Sequence, residues 1–195
     1  MNELPDKCLV DTNVPITADS RLALHNNEND DVSQDCIDAC VKVIDHIIKK
    51  GGLVIDDGPE ILDEYWKNLN RLPGKEVQHG LAMKFLKWVN DHQGIGNKVT
   101  RVKIHRHNDT DTYEEFPVHD GLKKFDRSDR KFVAVANAYP SAHKPPIFQA
   151  RDSKWWGWKD ALDESGIKVH FLCPDYVKEK FREKVDEKDR KKKEQ

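Results

Sequence analysis

The first apolar run of the chain is "CLVD", residues 8–11, and polar Thr12 and Asn13 follow it at once. It predicts a buried strand that ends on an acid. Ser33 stands where an N-cap belongs. Cys36, Ile37, Cys40, Val41, Ile44, Ile47 and Ile48 then recur at helical spacing up to Lys50. Gly51 and Gly52 stop that helix, and residues 53–55 read as a second strand. Asp57, Gly58 and Pro59 open another helix, with proline where a missing N–H costs little. Its apolar stripe is Ile61, Leu62, Tyr65, Trp66 and Leu69.

Residues 70–125 break this rhythm. They predict a helix from about Glu76 to Asp91, then a hairpin pairing "VTRVKI" with "TYEEFPV" around "NDTD". This segment reads as an insertion or cap. The alternation then resumes. Asp126 can cap a helix from Arg127 to about Ala138, and "PPIFQARD" predicts a buried strand that again ends on an acid, Asp152. A Trp-rich helix over 155–164 and the strand "IKVHFLC" follow, and the charged residues 176–195 predict a helix or tail that frays. Strands alternating with helices argue for an α/β domain over 1–175, with a mostly parallel sheet and helices on both faces.

Composition changes the picture little. The 195 residues leave room for one domain, and 37% hydrophobic against 35% charged residues is polar for a globular protein. A net charge of −2 does not announce a nucleic-acid binder, yet phosphate binding depends on local patches. Cys8, Cys36, Cys40 and Cys173 show no zinc spacing and no signal peptide precedes them, so they read as reduced, mostly buried thiols of a cytoplasmic protein. No apolar stretch reaches membrane-spanning length.

The candidate chemistry lies in the acids. In open parallel sheets, sites form outside the carboxyl ends of the strands, where Asp11 and Asp152 stand. At about 100° per residue, Glu64 falls beside the apolar stripe of its helix while Glu60 lies opposite. Asp129 shares a face with Phe132, Val133 and Ala136. Carboxylates gathered at one place repel one another, and hard cations such as Mg²⁺ or Mn²⁺ resolve that repulsion. Each acid also has an ordinary role open to it, as a loop cap, a helix-dipole partner or an exposed charge. Their common placement favours the metal site.

"LVDTNVPIT", "PEILDEYWKNL", "FDRSDRKFVAVANA" and "IFQARDSKW" resemble the acidic motifs of PIN-domain nucleases, a family similar to the toxins of toxin–antitoxin pairs. The resemblance covers roughly residues 6–70 and 120–175. It implies a three-layer α/β/α sandwich and Mg²⁺- or Mn²⁺-dependent cleavage of single-stranded RNA. Carried over by residue, the catalytic and metal-binding acids are Asp11, Glu64 in "DEYW", Asp129 and Asp152. Thr12, Asn13, Asp126 and Ser153 support them. The family often has Thr or Ser two residues before the last acid, where this chain has Ala150, and the 70–125 segment is longer than in compact members. The partners it implies are RNA and an antitoxin or other regulatory protein, with a homodimer as a further candidate.

Lys124, Arg127, Arg130, Lys131, Arg151 and Lys154 flank these acids and suit a phosphate backbone that the carboxylates alone would repel. Trp155, Trp156 and Trp158 are candidates to stack on bases, although tryptophans in a helix more often serve the core. His105, His107 and His119 lack a third ligand at zinc spacing. Two other readings stay open. One is a non-catalytic module of the same fold. The other is a haloacid-dehalogenase-like phosphatase, which wants an aspartate where Asn13 stands.

Overall fold

The computed structural model describes residues 4–19, 32–70, 80–107 and 112–193. In chain order the elements are β1 (Leu9–Val10), α1 (Asn13–Ala18), α2 (Gln34–Lys50), β2 (Leu53–Asp56), α3 (Glu60–Leu69), α4 (Leu81–His92) and β3 (Val99–Val102). They continue with α5 (Arg130–Ala138), β4 (Ile147–Gln149), α6 (Lys159–Glu164), β5 (Val169–Phe171) and α7 (Pro174–Lys193). β1, β2 and β4 are buried throughout, which is why they read as continuous apolar runs.

All the ladders among these residues are parallel. β4 lies between β1 and β5, with Leu9 opposite Ile147 and Ile147 opposite Val169. β2 pairs with β3 in a second sheet, Leu53 opposite Val99. One parallel bridge, Cys8 to Leu53, links the two sheets. Through it the Cys8 N–H donates to the Gly52 carbonyl (2.9 Å) and the Val54 N–H to the Cys8 carbonyl (2.8 Å). Gly52 permits this approach: its φ is +93°, and a Cβ there would lie 2.2 Å from the Asp6 carbonyl oxygen. The chain therefore leaves β1 toward β2 on one side, while β4 flanks β1 on the other. That divergence opens a crevice at the strands' carboxyl ends.

Several expectations change. Residues 99–102 are a parallel strand rather than half of a long hairpin, because β2 offers a free edge that satisfies their backbone. What remains of the hairpin is the Arg106–Tyr113 bridge with hydrogen bonds 107 to 112 and 114 to 105. The expected turn at 108–111 and the expected helix start at Glu76 lie outside the described residues. The helix predicted from Arg127 begins as a 3₁₀ turn, Arg127–Asp129, and the Trp-rich helix begins as another, Ser153–Trp158. Residues 174–193 are helical, and Val177 in α7 is fully buried. No helix among the described residues is long and apolar enough to cross a membrane.

The cysteine expectation fails for one pair. Cys36, in the first turn of α2, and Cys173, just before α7, form a disulfide with Cα atoms 5.0 Å apart. They are 137 positions apart, so only tertiary folding brings them together and no spacing signals it. Cys8 and Cys40 stay as buried thiols, each pushed up to about 12 by burial. The bridge is expected to contribute about 2–4 kcal/mol by restricting the unfolded chain. Urea midpoints with and without dithiothreitol, beside Cys36→Ser, measure it. Unchanged midpoints would mean that the bridge does not hold the fold.

Candidate active site

β1 and β4 are neighbours, so the two acids that follow them open onto one crevice. The Asp11 N–H extends the ladder by donating to the Phe148 carbonyl (2.9 Å). The Asp11 carboxylate is buried and accepts from the Asn13 N–H at Oδ1 (3.0 Å). The other strand-ending acid, Asp56, shows what a purely structural one looks like. Both its oxygens are taken by the N–H groups of Glu60 (3.0 Å) and Ile61 (2.9 Å), which start α3.

α3 brings in Glu64. Its next residue, Tyr65, is fully buried and donates its hydroxyl to the carbonyl of Val10, directly before Asp11. Glu64 accepts from the Thr12 hydroxyl at Oε1 and pairs with Lys131 at Oε2. The 3₁₀ turn before α5 carries Asp129, whose oxygens accept from the Ser128 hydroxyl and the Trp155 indole N–H, both at 3.0 Å. Asp152 caps the turn after β4 by accepting from the Lys154 N–H (2.9 Å).

These four acids act on one another. Burial first, then Asp129, and to a smaller degree Glu64 and Asp152, hold the Asp11 carboxyl well above the usual carboxylate range, against the Asn13 N–H. Asp129 is pushed up to about 6, chiefly by burial and next by Asp152. The acids surround the crevice without closing on a point. Among the described residues, the trios with all donor atoms within 4.8 Å of one another lie elsewhere: Cys36, Cys40 and Cys173, of which the disulfide leaves only Cys40 as a thiol, and exposed His105 with Glu114 and Glu115. His105 there contacts Glu115 at 2.6 Å, and His119 contacts Glu164 at 2.9 Å.

No family model, curated protein or solved structure matches this chain. The site is therefore read from its own chemistry. Its donors are carboxylate oxygens, two of the carboxyls raised first by burial and then by neighbouring acids, and that is a set a hard divalent cation would satisfy. Asp11, Asp129 and Asp152 would hold such an ion, with Glu64 exchanging Lys131 for it.

The supporting residues divide. Asn13 ties the two acid-bearing loops together: its side-chain oxygen accepts from the Ala150 N–H (2.8 Å) and the Arg151 N–H (3.4 Å). Asp126 caps the Arg127–Asp129 turn and binds Lys154 (2.8 Å), whose hydrogen bond holds its carboxyl below the ordinary range. Ser153, expected beside the acids, is buried and accepts from Lys184 of α7 (2.8 Å).

The expected substrate cations divide too. Lys124 and Arg127 are exposed and line a cavity of about 600 Å³ with Lys123 and Arg130. Arg130 donates to the backbone carbonyls of Lys123 (3.2 Å) and Phe125 (3.4 Å), so it braces the loop. Lys131 is 7% exposed and sits inside the acid cluster, lining a 460 Å³ cavity with Glu64 and Asp129. Arg151 lines a third cavity, of about 380 Å³, with Asp152, Tyr176, Lys180 and Lys184. Those two lysines escaped the sequence reading. Tyr176, Lys180 and Lys184 recur every fourth residue beside Val177 and Phe181, a signal hidden by the charge run. Trp155 is fully buried, Trp156 packs on Phe171 and Trp158 on Phe125.

The acids set a pH dependence for the metal-free protein. Asp129 binds its proton more tightly folded than unfolded, so its contribution is full below about 4 and is lost as pH rises through about 6. The displacement from 3.8 to about 6 corresponds to at most about 3 kcal/mol. Asp129→Asn is expected to gain stability over the parent between pH 4 and pH 7, read from urea midpoints in EDTA. A difference that stays flat with pH would contradict the assignment.

Proposed function

We propose that this chain is a metal-dependent endoribonuclease of PIN-like type. It cleaves single-stranded RNA with Mg²⁺ or Mn²⁺, on an α/β/α sandwich. The observation that carries the reading is that Glu64, Asp129 and Asp152, from three separate parts of the chain, oppose the ionisation of buried Asp11 at the carboxyl ends of the paired strands β1 and β4. Crowding of this kind costs stability and is characteristic of functional sites. The chemistry such an ion supplies is Lewis-acid charge against the anion developing at the phosphodiester.

The chain's own groups do the rest. The Asn13 N–H fixes the Asp11 carboxylate, and the Thr12 hydroxyl fixes that of Glu64. Lys131 neutralises Glu64 in the absence of an ion, which keeps the cluster folded. Exposed Lys124 and Arg127 offset the carboxylates toward an approaching backbone. A regulatory antitoxin as partner belongs to the same proposal, whereas the Cys36–Cys173 bridge removes the ground on which the sequence pointed to the cytoplasm.

The test is incubation of the purified chain with mixed-sequence single-stranded RNA in EDTA, Mg²⁺ or Mn²⁺. Internal cuts that need the metal and vanish in Asp152→Asn are expected. No cutting with either metal, or an Asp152→Asn protein as active as the parent, would overturn the reading.

A further inference from the structure

The cavity of about 380 Å³ lies between α1, the loop after β4 and α7. It shares Asp152 with the acid cluster, and otherwise its charged walls are cationic: Arg151, Lys180 and Lys184. These side chains are held in place. The Lys184 ammonium donates to the hydroxyl of buried Ser153 (2.8 Å). The Arg151 guanidinium lies over the Tyr176 ring, 5.9 Å from its centre. Thr17, on the same wall, is fully buried, and its hydroxyl has no hydrogen-bond partner among the described residues.

We propose that this cavity binds a backbone phosphate of the RNA strand, the neighbour of the phosphate at the acid cluster, and that α7 is thereby part of the nucleic-acid site. The inference rests on the nuclease reading for what the adjacent cluster does. The lining holds three cations and one carboxylate, and Glu183 of α7 pairs with Lys180 (3.1 Å), so an excess of positive charge remains to attract an anion. A guanidinium braced on a ring offers a planar fork of donors that fits phosphate, and the two lysines of α7 add charge to the same cavity. The position selects a strand over a free anion. Arg151 and Asp152 are consecutive, so one loop presents a cation to this cavity and a carboxylate to the cluster. Successive phosphates of one strand would meet these two environments in turn.

The experiment measures binding apart from cleavage. A fluorescent single-stranded RNA is titrated, in EDTA, into the full chain and into variants across a range of salt. Lys180→Ala with Lys184→Ala is expected to weaken binding about tenfold at low salt, and to lower the slope of log affinity against log salt by about 0.7, the value for one lost phosphate contact on a single strand. Lys180→Arg with Lys184→Arg should restore both. Lys49→Ala with Lys50→Ala, two exposed lysines at the end of α2, controls for net charge and should leave the slope unchanged. In Mg²⁺ the alanine pair should raise KM and leave kcat near the parent value. Cutting and binding by the alanine pair that match the parent, with the same slope, would overturn the cavity assignment and leave the nuclease reading standing. Tight, salt-dependent binding without any cutting, weakened by the alanine pair, would overturn the nuclease reading and support the cavity. A parent that does not bind RNA overturns both. Circular dichroism of each variant, with Lys180→Ala alone as a milder change, separates lost binding from lost folding.

Discussion

Asp11→Asn is expected to abolish RNA cleavage and, in the same protein, to stabilise the metal-free fold. Asparagine keeps an oxygen for the Asn13 N–H, so the loop retains its shape. It removes a charge that burial disfavours and that Asp129, Glu64 and Asp152 oppose. Stability at pH 7 should therefore rise, because the folded protein no longer has to hold that buried charge. Loss of the central charged ligand should lower turnover by at least about 10²–10³-fold, the scale seen when one preorganised electrostatic group is removed. Mn²⁺ should stabilise the parent more than the variant. A variant that loses activity and stability together would make Asp11 a structural cap like Asp56. A stable variant with full activity would remove it from the chemistry.

Trp155→Ala is expected to be the most damaging single change to the fold. Trp155 is the largest fully buried side chain, set edge-on to Phe125 with ring centres 5.0 Å apart. Truncating a buried tryptophan costs about 3–5 kcal/mol. The indole N–H also donates to Asp129 and lowers its pKa, so its loss pushes that carboxyl further up. Trp155→Phe separates the two effects by keeping most of the packing and losing only the donor. Urea denaturation of both variants measures the packing loss, and a cost below about 1 kcal/mol for the alanine would show that the ring is not a core element. The tryptophan cluster, a candidate for base stacking from sequence, thus joins core to site.

Much of the sheet and the acid set could be read from the chain because the physics there is local or periodic. β1, β2 and β4 are buried on both faces and appear as unbroken apolar runs. The start of α2 carries its own signal, and the Ser33 hydroxyl does accept from the Cys36 N–H. Asp11 and Asp152 stood out as charges ending apolar runs. What escaped depends on tertiary context. α1 has only six residues and includes Pro15, too short for a period to show. Val99–Val102 has the composition of either a hairpin arm or an edge strand, and the free edge of β2 decides. Lys131 looks like one more surface lysine until Glu64 arrives from another helix.

The Cys36–Cys173 bridge makes the chain between them a closed covalent ring. Glu64, Asp129 and Asp152 lie inside that ring and Asp11 lies outside it. A single nick within the ring, for instance at the exposed residues 141–143, would open it without releasing a fragment. Three of the four acids would stay on one tethered body. Asp11 would remain joined to it through the backbone that enters at Cys36, its place in the crevice kept by β1 lying against β4 and bridged to β2.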